Sequence, residues 1–213
     1  MAVSEVKRRR RPAMLARMGQ ALTPSVLFLR NFVRSPAMIG SVMPSSQSLI
    51  DRMLDRVDWS NVKLFVEYGP GVGTFTRPIL TRLRPDATLI AIDTNQDFAR
   101  YISRTISDSR LLAVQGSAAD VVSIIRDQGH EWADHVLSGI PFSTLPAGIG
   151  DTIMDETLCA LKPGGSFLVY QYSAFTLPML KARFDRVWQG REFMNFPPCR
   201  IFEAWKTKDN DRP

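Results

Sequence analysis

Glu67, Gly69, Gly71 and Gly73 occupy alternate positions in one short run, and Asp93 follows twenty residues after the last glycine. Glycines let the backbone turn sharply and let a ligand approach bare peptide. Behind them, Phe75, Ile79, Leu80 and Leu83 fall at helical spacing, with Thr74 or Thr76 available as a cap. A helix starting there presents free N–H groups and positive potential to whatever the loop holds. A carboxylate at the end of the next strand can accept both hydroxyls of a ribose. The spacing is not a dinucleotide fingerprint, because Thr76 stands where Gly-x-Gly-x-x-Gly needs its third glycine. Together these residues point to a nucleoside site on a strand–turn–helix unit.

The elements that would position them alternate along the chain. Strands are expected over residues 62–66, 87–93, 111–115, 135–140 and 166–172, with late strands over 188–193 and 200–205. Helices are expected from Ser46, through Leu49, Ile50, Met53, Leu54 and Val57, and then after each of the first five strands; the last two run over 148–161 and 174–184. Such alternation demands an α/β fold with a mostly parallel sheet and helices on both faces. The closing strand pair suggests an antiparallel hairpin at one edge. Ligands of such sheets belong at the carboxyl ends of the strands, where the residues above fall.

A chain of 213 residues fits one domain with a sizeable core plus an appendage. Cys159 and Cys199 lie far apart without metal-like spacing, which excludes a disulfide framework or zinc site and suits a reducing compartment. His130 and His135 do not form a catalytic pair; His135 enters a buried strand as a satisfied structural residue. The net charge of +6 is uneven, for residues 1–34 hold eight basic side chains against Glu5 alone. The chain therefore divides into a basic amphipathic arm, 1–45, and an α/β domain, 46–213. Such an arm suits an anionic partner, either a lipid surface or nucleic acid. Met14, Leu15, Met18 and Leu22 form an apolar side that can lie in a bilayer interface or pack on the core. The early apolar stretch is too short and interrupted to cross a membrane, and no secretory signal is evident, so a cytoplasmic protein is expected.

The acidic-x-Gly-x-Gly-x-Gly form, with Asp93 in register, resembles motif I of class I S-adenosylmethionine-dependent methyltransferases. That resemblance implies a Rossmann-like, seven-stranded, mostly parallel sheet and S-adenosylmethionine as cofactor. It places Glu67, Gly69, Gly71, Gly73, Asp93 and Thr94 around the donor, with Ser117 and Ala118 at its adenine and Ser138 near its methyl group. Asp120 reads equally as an adenine contact or as a helix cap. Many amino-methylating relatives carry Asn/Asp-Pro-Pro-Phe/Tyr at the fourth strand end. Here Ser138-Gly139-Ile140-Pro141-Phe142 stands instead, without a carboxylate or amide to orient a flat nucleobase amine.

That departure, with the arm, residues 36–46, Pro163-Gly164-Gly165, Gln171-Tyr172-Ser173 and residues 197–202, resembles the bacterial phospholipid N-methyltransferase family, which methylates phosphatidylethanolamine. The resemblance implies mono-, di- or trimethylated lipid as product, made by a monomer bound peripherally to the inner face of the cell membrane. An anionic phospholipid surface is then the expected partner, nucleic acid is not, and no metal is needed. Aromatic faces accommodate methylated ammonium groups; Phe142, Tyr172 and Tyr68 are candidates, with Tyr172 best placed at a strand end. Tyr172, Phe142 and Ser138 are the expected catalytic residues. Met43, Ser45, Gly139, Pro141 and Gln171 would line the substrate site, and Arg200 would pair with the lipid phosphate. The segment before the first strand is placed to fold over the pocket. Two other readings compete: a ribosomal-RNA adenine dimethyltransferase, and a cofactor-binding module without catalysis.

Overall fold

The structure, a computed structural model, describes residues 45–195 and 197–207. It opens with α1 (Gln47–Leu54), where the Ser46 hydroxyl accepts the Leu49 N–H, the expected cap. Then come β1 (Leu64–Tyr68), α2 (Thr76–Arg82), β2 (Thr88–Asp93), α3 (Gln96–Thr105) and β3 (Leu111–Gln115). They are followed by α4 (Val121–Asp127), β4 (Ala133–Ser138), α5 (Ile149–Ala160), β5 (Leu161–Gln171), α6 (Thr176–Lys181), β6 (Arg186–Glu192) and β7 (Cys199–Trp205).

The seven strands form one sheet in the order β3-β2-β1-β4-β5-β7-β6, a Rossmann-like arrangement. Only β7 runs antiparallel to its neighbours. The chain moves outward from β1 to β3 and then returns to lay β4 on the other side of β1. That reversal opens a crevice at the carboxyl ends of β1 and β4, where ligands of open α/β sheets bind.

Side-chain alternation along the strands builds a core on each face. Leu64, Val66, Ile90, Val136, Phe167 and Phe202 pack with α4, α5 and α6 through Ile125, Met154 and Leu180. Phe65, Leu89, Leu137, Leu168 and Ile201 pack with α1, α2 and α3 through Met53, Ile79 and Ile102. Beyond the end of α1, Arg56 pairs with the buried Glu203 of β7 and lies 3.6 Å over the Trp188 ring of β6. At the amino edge, Asp134 accepts the N–H groups of Lys63 and Leu64 and pairs with Lys162, fixing the starts of β1, β4 and β5.

Several boundaries differ from expectation for identifiable reasons. The first strand starts at Leu64 and runs through Glu67 and Tyr68, which pair with both β2 and β4. The fifth begins at Leu161, opposite Ala133, and a register irregularity absorbs Pro163-Gly164-Gly165. Helix α6 does not begin at residue 174, because Pro178 has no N–H to donate back to that carbonyl. His135 is the structural residue expected, its Nδ1 2.9 Å from the Ser166 hydroxyl; burial pushes its pKa down to about 4.

Candidate active site

The glycine loop leaves β1 through three left-handed residues, Gly69, Gly71 and Gly73, with φ of 66°, 56° and 85°. Gly69 N–H still donates to Ile92 of β2 at 2.9 Å, and Gly73 N–H closes a turn onto Pro70 at 2.9 Å. A side chain at Gly71 would meet no atom within 4 Å, so its backbone borders open space. Helix α2 then begins without a side-chain cap. The expected threonine cap is absent because Thr76 donates its hydroxyl to Glu67 at 2.7 Å instead.

Glu67 is buried, and burial pushes its pKa up to about 8, against the Thr76 hydrogen bond and with a further rise from Asp93. Asp93 accepts Asn95 N–H at 2.8 Å and Gly71 N–H at 3.3 Å. Burial still raises it to about 6. Thr94 follows in an exposed position. Asp93 pairs with Gln115 at the end of β3, which brings Ser117 and Ala118 alongside. The Ser117 hydroxyl caps the short turn there by accepting Ala119 N–H at 3.1 Å, whereas Asp120 makes no cap bond to α4. These residues therefore line adjacent carboxyl ends of β1, β2 and β3.

Across the crevice, β4 ends at the fully buried Ser138, whose hydroxyl accepts Ile140 N–H at 3.2 Å. Gly139 N–H donates to the Tyr68 carbonyl at 3.0 Å, and half-buried Pro141 follows. Gln171 donates its side-chain amide to the Ile140 carbonyl at 2.7 Å. Phe142 and Tyr68 belong to the core rather than to the cleft surface. Phe142 packs on Gly150, and the Tyr68 hydroxyl lies 3.1 Å from that of Thr157. Tyr172 is half-buried and hydrogen-bonded to Asn195. Arg200 stands opposite Gln171 on β7, and alternation sends it to the other face of the sheet from Tyr172. Arg200, expected to bind the substrate, and Tyr172, expected to be catalytic, are therefore not brought together. Met43 lies outside the described residues.

Sequence reasoning missed Tyr170. Its ring stacks on Phe75 with centroids 5.0 Å apart, and its hydroxyl is hydrogen-bonded to Ser45. A Cβ added to Gly139 would fall 2.4 Å from the Tyr170 oxygen, so glycine is what admits the phenol there. Burial holds that phenol far above its ordinary pKa, with Glu67 adding to the rise. Alternation along β5 was the available signal, since Tyr170 shares the face of Tyr172 one step deeper. Asn195 was also missed; it accepts Ser46 N–H at 2.9 Å and so joins the start of α1 to the β6–β7 connection.

No protein-family model matches the chain. A curated relative, the ornithine lipid N-methyltransferase of Singulisphaera acidiphila, is 30% identical over 190 residues, spanning 86% of this chain and 97% of its own. The chain belongs to that methyltransferase family. The fold of this methyltransferase is shared with precorrin-6y C5,15-methyltransferase from Geobacter metallireducens GS-15, at a TM-score of 0.61 and 16% identity over 76% of this chain and 89% of that one. It is shared too with the N-methyltransferase NodS from Bradyrhizobium japonicum WM9 in complex with S-adenosyl-l-homocysteine, at a TM-score of 0.57 and 16% identity, covering 75% and 84%. The methyltransferase is a class I enzyme that uses S-adenosylmethionine. Its crevice has room for that donor, with open space over Gly71 and the Asp93 carboxylate at the adjacent strand end.

Proposed function

We propose that the protein transfers methyl groups from S-adenosylmethionine to the primary amine of a membrane lipid, with phosphatidylethanolamine as substrate and its N-methylated forms as products. The observation that carries this reading is the β4 end. Its only side-chain polar atom, the Ser138 hydroxyl, is buried and turned to Ile140, and the Ile140 carbonyl is engaged by Gln171. Nothing there orients a planar nucleobase amine, whereas a flexible lipid amine needs only a narrow, dry approach. The ornithine lipid N-methyltransferase relative supports a lipid amine and favours a second substrate, an ornithine headgroup.

Bound S-adenosylmethionine supplies an already activated methyl on a sulfonium. The chain then has to align the amine lone pair with that methyl and exclude water. In this reading Asp93 accepts the ribose hydroxyls, Ser117 and Ala118 border the adenine, and the Gly69–Gly73 backbone admits the donor. Glu67 anchors α2 under the loop through Thr76. The Tyr170 phenol, protonated at neutral pH, borders the methyl path beside Gly139 and holds the amine as a hydrogen-bond partner, not as a base. A dry cleft beside a sulfonium lowers the amine pKa, so the nucleophile enters neutral. Tyr172 offers an aromatic face to later methylammonium products.

The basic arm, 1–45, is proposed to hold the enzyme on an anionic membrane and to cover the pocket. The Ser46–Asn195 bond supports this by fixing, beside the candidate site, the point that follows the arm in sequence. No described helix is long and apolar enough to cross a membrane. The test is methyl transfer from labelled S-adenosylmethionine into anionic liposomes containing phosphatidylethanolamine or ornithine lipid, with ribosomal RNA in parallel. Label in phosphatidylethanolamine is the expected result. Label confined to ornithine lipid selects the second reading, and label confined to RNA overturns both.

A further inference from the structure

Three of the five large apolar side chains that the described residues expose stand on connections at the carboxyl-end edge of the sheet. Phe175 follows β5 and is 53% exposed; Phe193 and Met194, between β6 and β7, are 69% and 77% exposed. Gln171 pairs with Arg200 and Glu192 with Cys199, so both segments leave the sheet at the edge that carries the candidate site.

The segment holding Phe193 and Met194 is tied down by its polar groups. Met194 N–H donates to the buried Glu192 carboxylate at 2.7 Å, and Arg52 pairs with that carboxylate at 3.6 Å. Asn195 accepts Ser46 N–H, donates to the Pro197 carbonyl at 3.0 Å and bonds Tyr172. The polar atoms are thus satisfied inward while the apolar side chains project outward. Arg191 and Arg200 face each other across β6 and β7 at the root of this segment. The described residues begin at Ser45, with Ser46 held by Asn195 at the same edge, and the strongly basic residues 1–34 precede them in sequence. An apolar tip, a cationic collar and a polybasic segment together suit the interface of an anionic bilayer, which attracts basic residues and takes in apolar side chains at its headgroup boundary.

We propose that Phe175, Phe193 and Met194 form a wedge that enters an anionic phospholipid bilayer and seats the cleft on the headgroup layer. The inference rests on the lipid-substrate reading and adds how a lipid amine reaches the crevice without leaving its membrane.

The experiment uses the full chain carrying Cys159→Ser and Met194→Cys, labelled with a polarity-sensitive fluorophore; Cys199 is buried and stays unlabelled. Vesicles of phosphatidylglycerol and phosphatidylethanolamine should shift the label's emission to the blue, and lipids brominated in their acyl chains should quench it. A label on native Cys159 should show neither change. In the unlabelled chain, Phe193→Ser with Met194→Ser should weaken vesicle binding by about tenfold or more. Cofactor binding, and transfer to a dispersed short-chain phosphatidylethanolamine, should stay unchanged, which also shows that the variant folds. No blue shift, or unchanged vesicle affinity of the double variant, would overturn the wedge. So would emission already blue in lipid-free buffer, since the patch would then be covered by the chain itself or by a second copy. Vesicle binding lost in the double variant, by a wild type that methylates no lipid, would support the wedge and sink only the substrate reading. Lipid methylation by a double variant that binds vesicles normally would do the reverse.

Discussion

Gln171 reaches from the last position of β5 to the Ile140 carbonyl just beyond β4, at 2.7 Å, and so fixes the turn that follows Ser138. The shape of the methyl-acceptor side therefore depends on a side chain from the neighbouring strand. Gln171→Ala should lower the turnover number about tenfold, the equivalent of one hydrogen bond of about 1.4 kcal/mol. Cofactor affinity should hold. Steady-state kinetics beside calorimetric titration of the cofactor check this, and an equal loss of affinity would mean that Gln171 acts through the glycine loop.

Asp93 receives two backbone N–H groups and turns its carboxylate toward Gly71. Asp93→Ala should weaken S-adenosylmethionine binding by about tenfold or more, because hydrogen bonds to a charged acceptor are each worth about 1.5–3 kcal/mol. Titration calorimetry reads the change directly; unaltered affinity would remove Asp93 from the donor site.

Gly139 and Tyr170 are coupled by lack of room. Gly139→Ala should cost about 1–3 kcal/mol of stability, the usual range for overpacking. Tyr170→Phe added to it should restore part of that loss by removing the oxygen nearest the new methyl. Denaturant unfolding of the two single variants and the double variant measures the coupling, and strictly additive losses would count against it.

Glu67 has its pKa raised to about 8 and Asp93 to about 6. A carboxyl whose pKa is higher in the folded than in the unfolded chain stabilises the fold at low pH and loses that contribution as pH rises through the folded value. Without cofactor, the contribution of these two groups should therefore fall between about pH 4 and 8, with the part above pH 6 due to Glu67. Glu67→Gln keeps an acceptor for Thr76 and should flatten the slope between pH 6 and 8. Unfolding free energies across that range test the assignment.

Much of the scaffold was legible because its signals are local. Ser46 opens α1, the glycine run follows a five-residue buried strand, and residues 111–115 form a strand with the expected bounds. Side-chain roles set by distant partners were not legible. Thr76 carries the same hydroxyl whether it caps a helix or reaches Glu67; the burial of that carboxylate selects the second use. Phe142 looked like a cleft aromatic from its place after β4, yet Gly150, on another helix, admits its ring to the core. Tyr170 gains its position from Gly139 and Phe75, residues far away in sequence, and Arg200 is separated from Tyr172 by strand alternation alone.

The sheet order β5-β7-β6 has a consequence for how the chain can assemble. Strand β6 is synthesised first, but its neighbour is β7, which must slot between it and β5. As the polypeptide emerges from the ribosome, β6 therefore has no partner, and β5 keeps an open edge until residues 199–205 appear. The sheet cannot close in the order of synthesis. A chain cut short before Cys199 would present the bare edge of β5, the type of unpaired strand that nucleates aggregation.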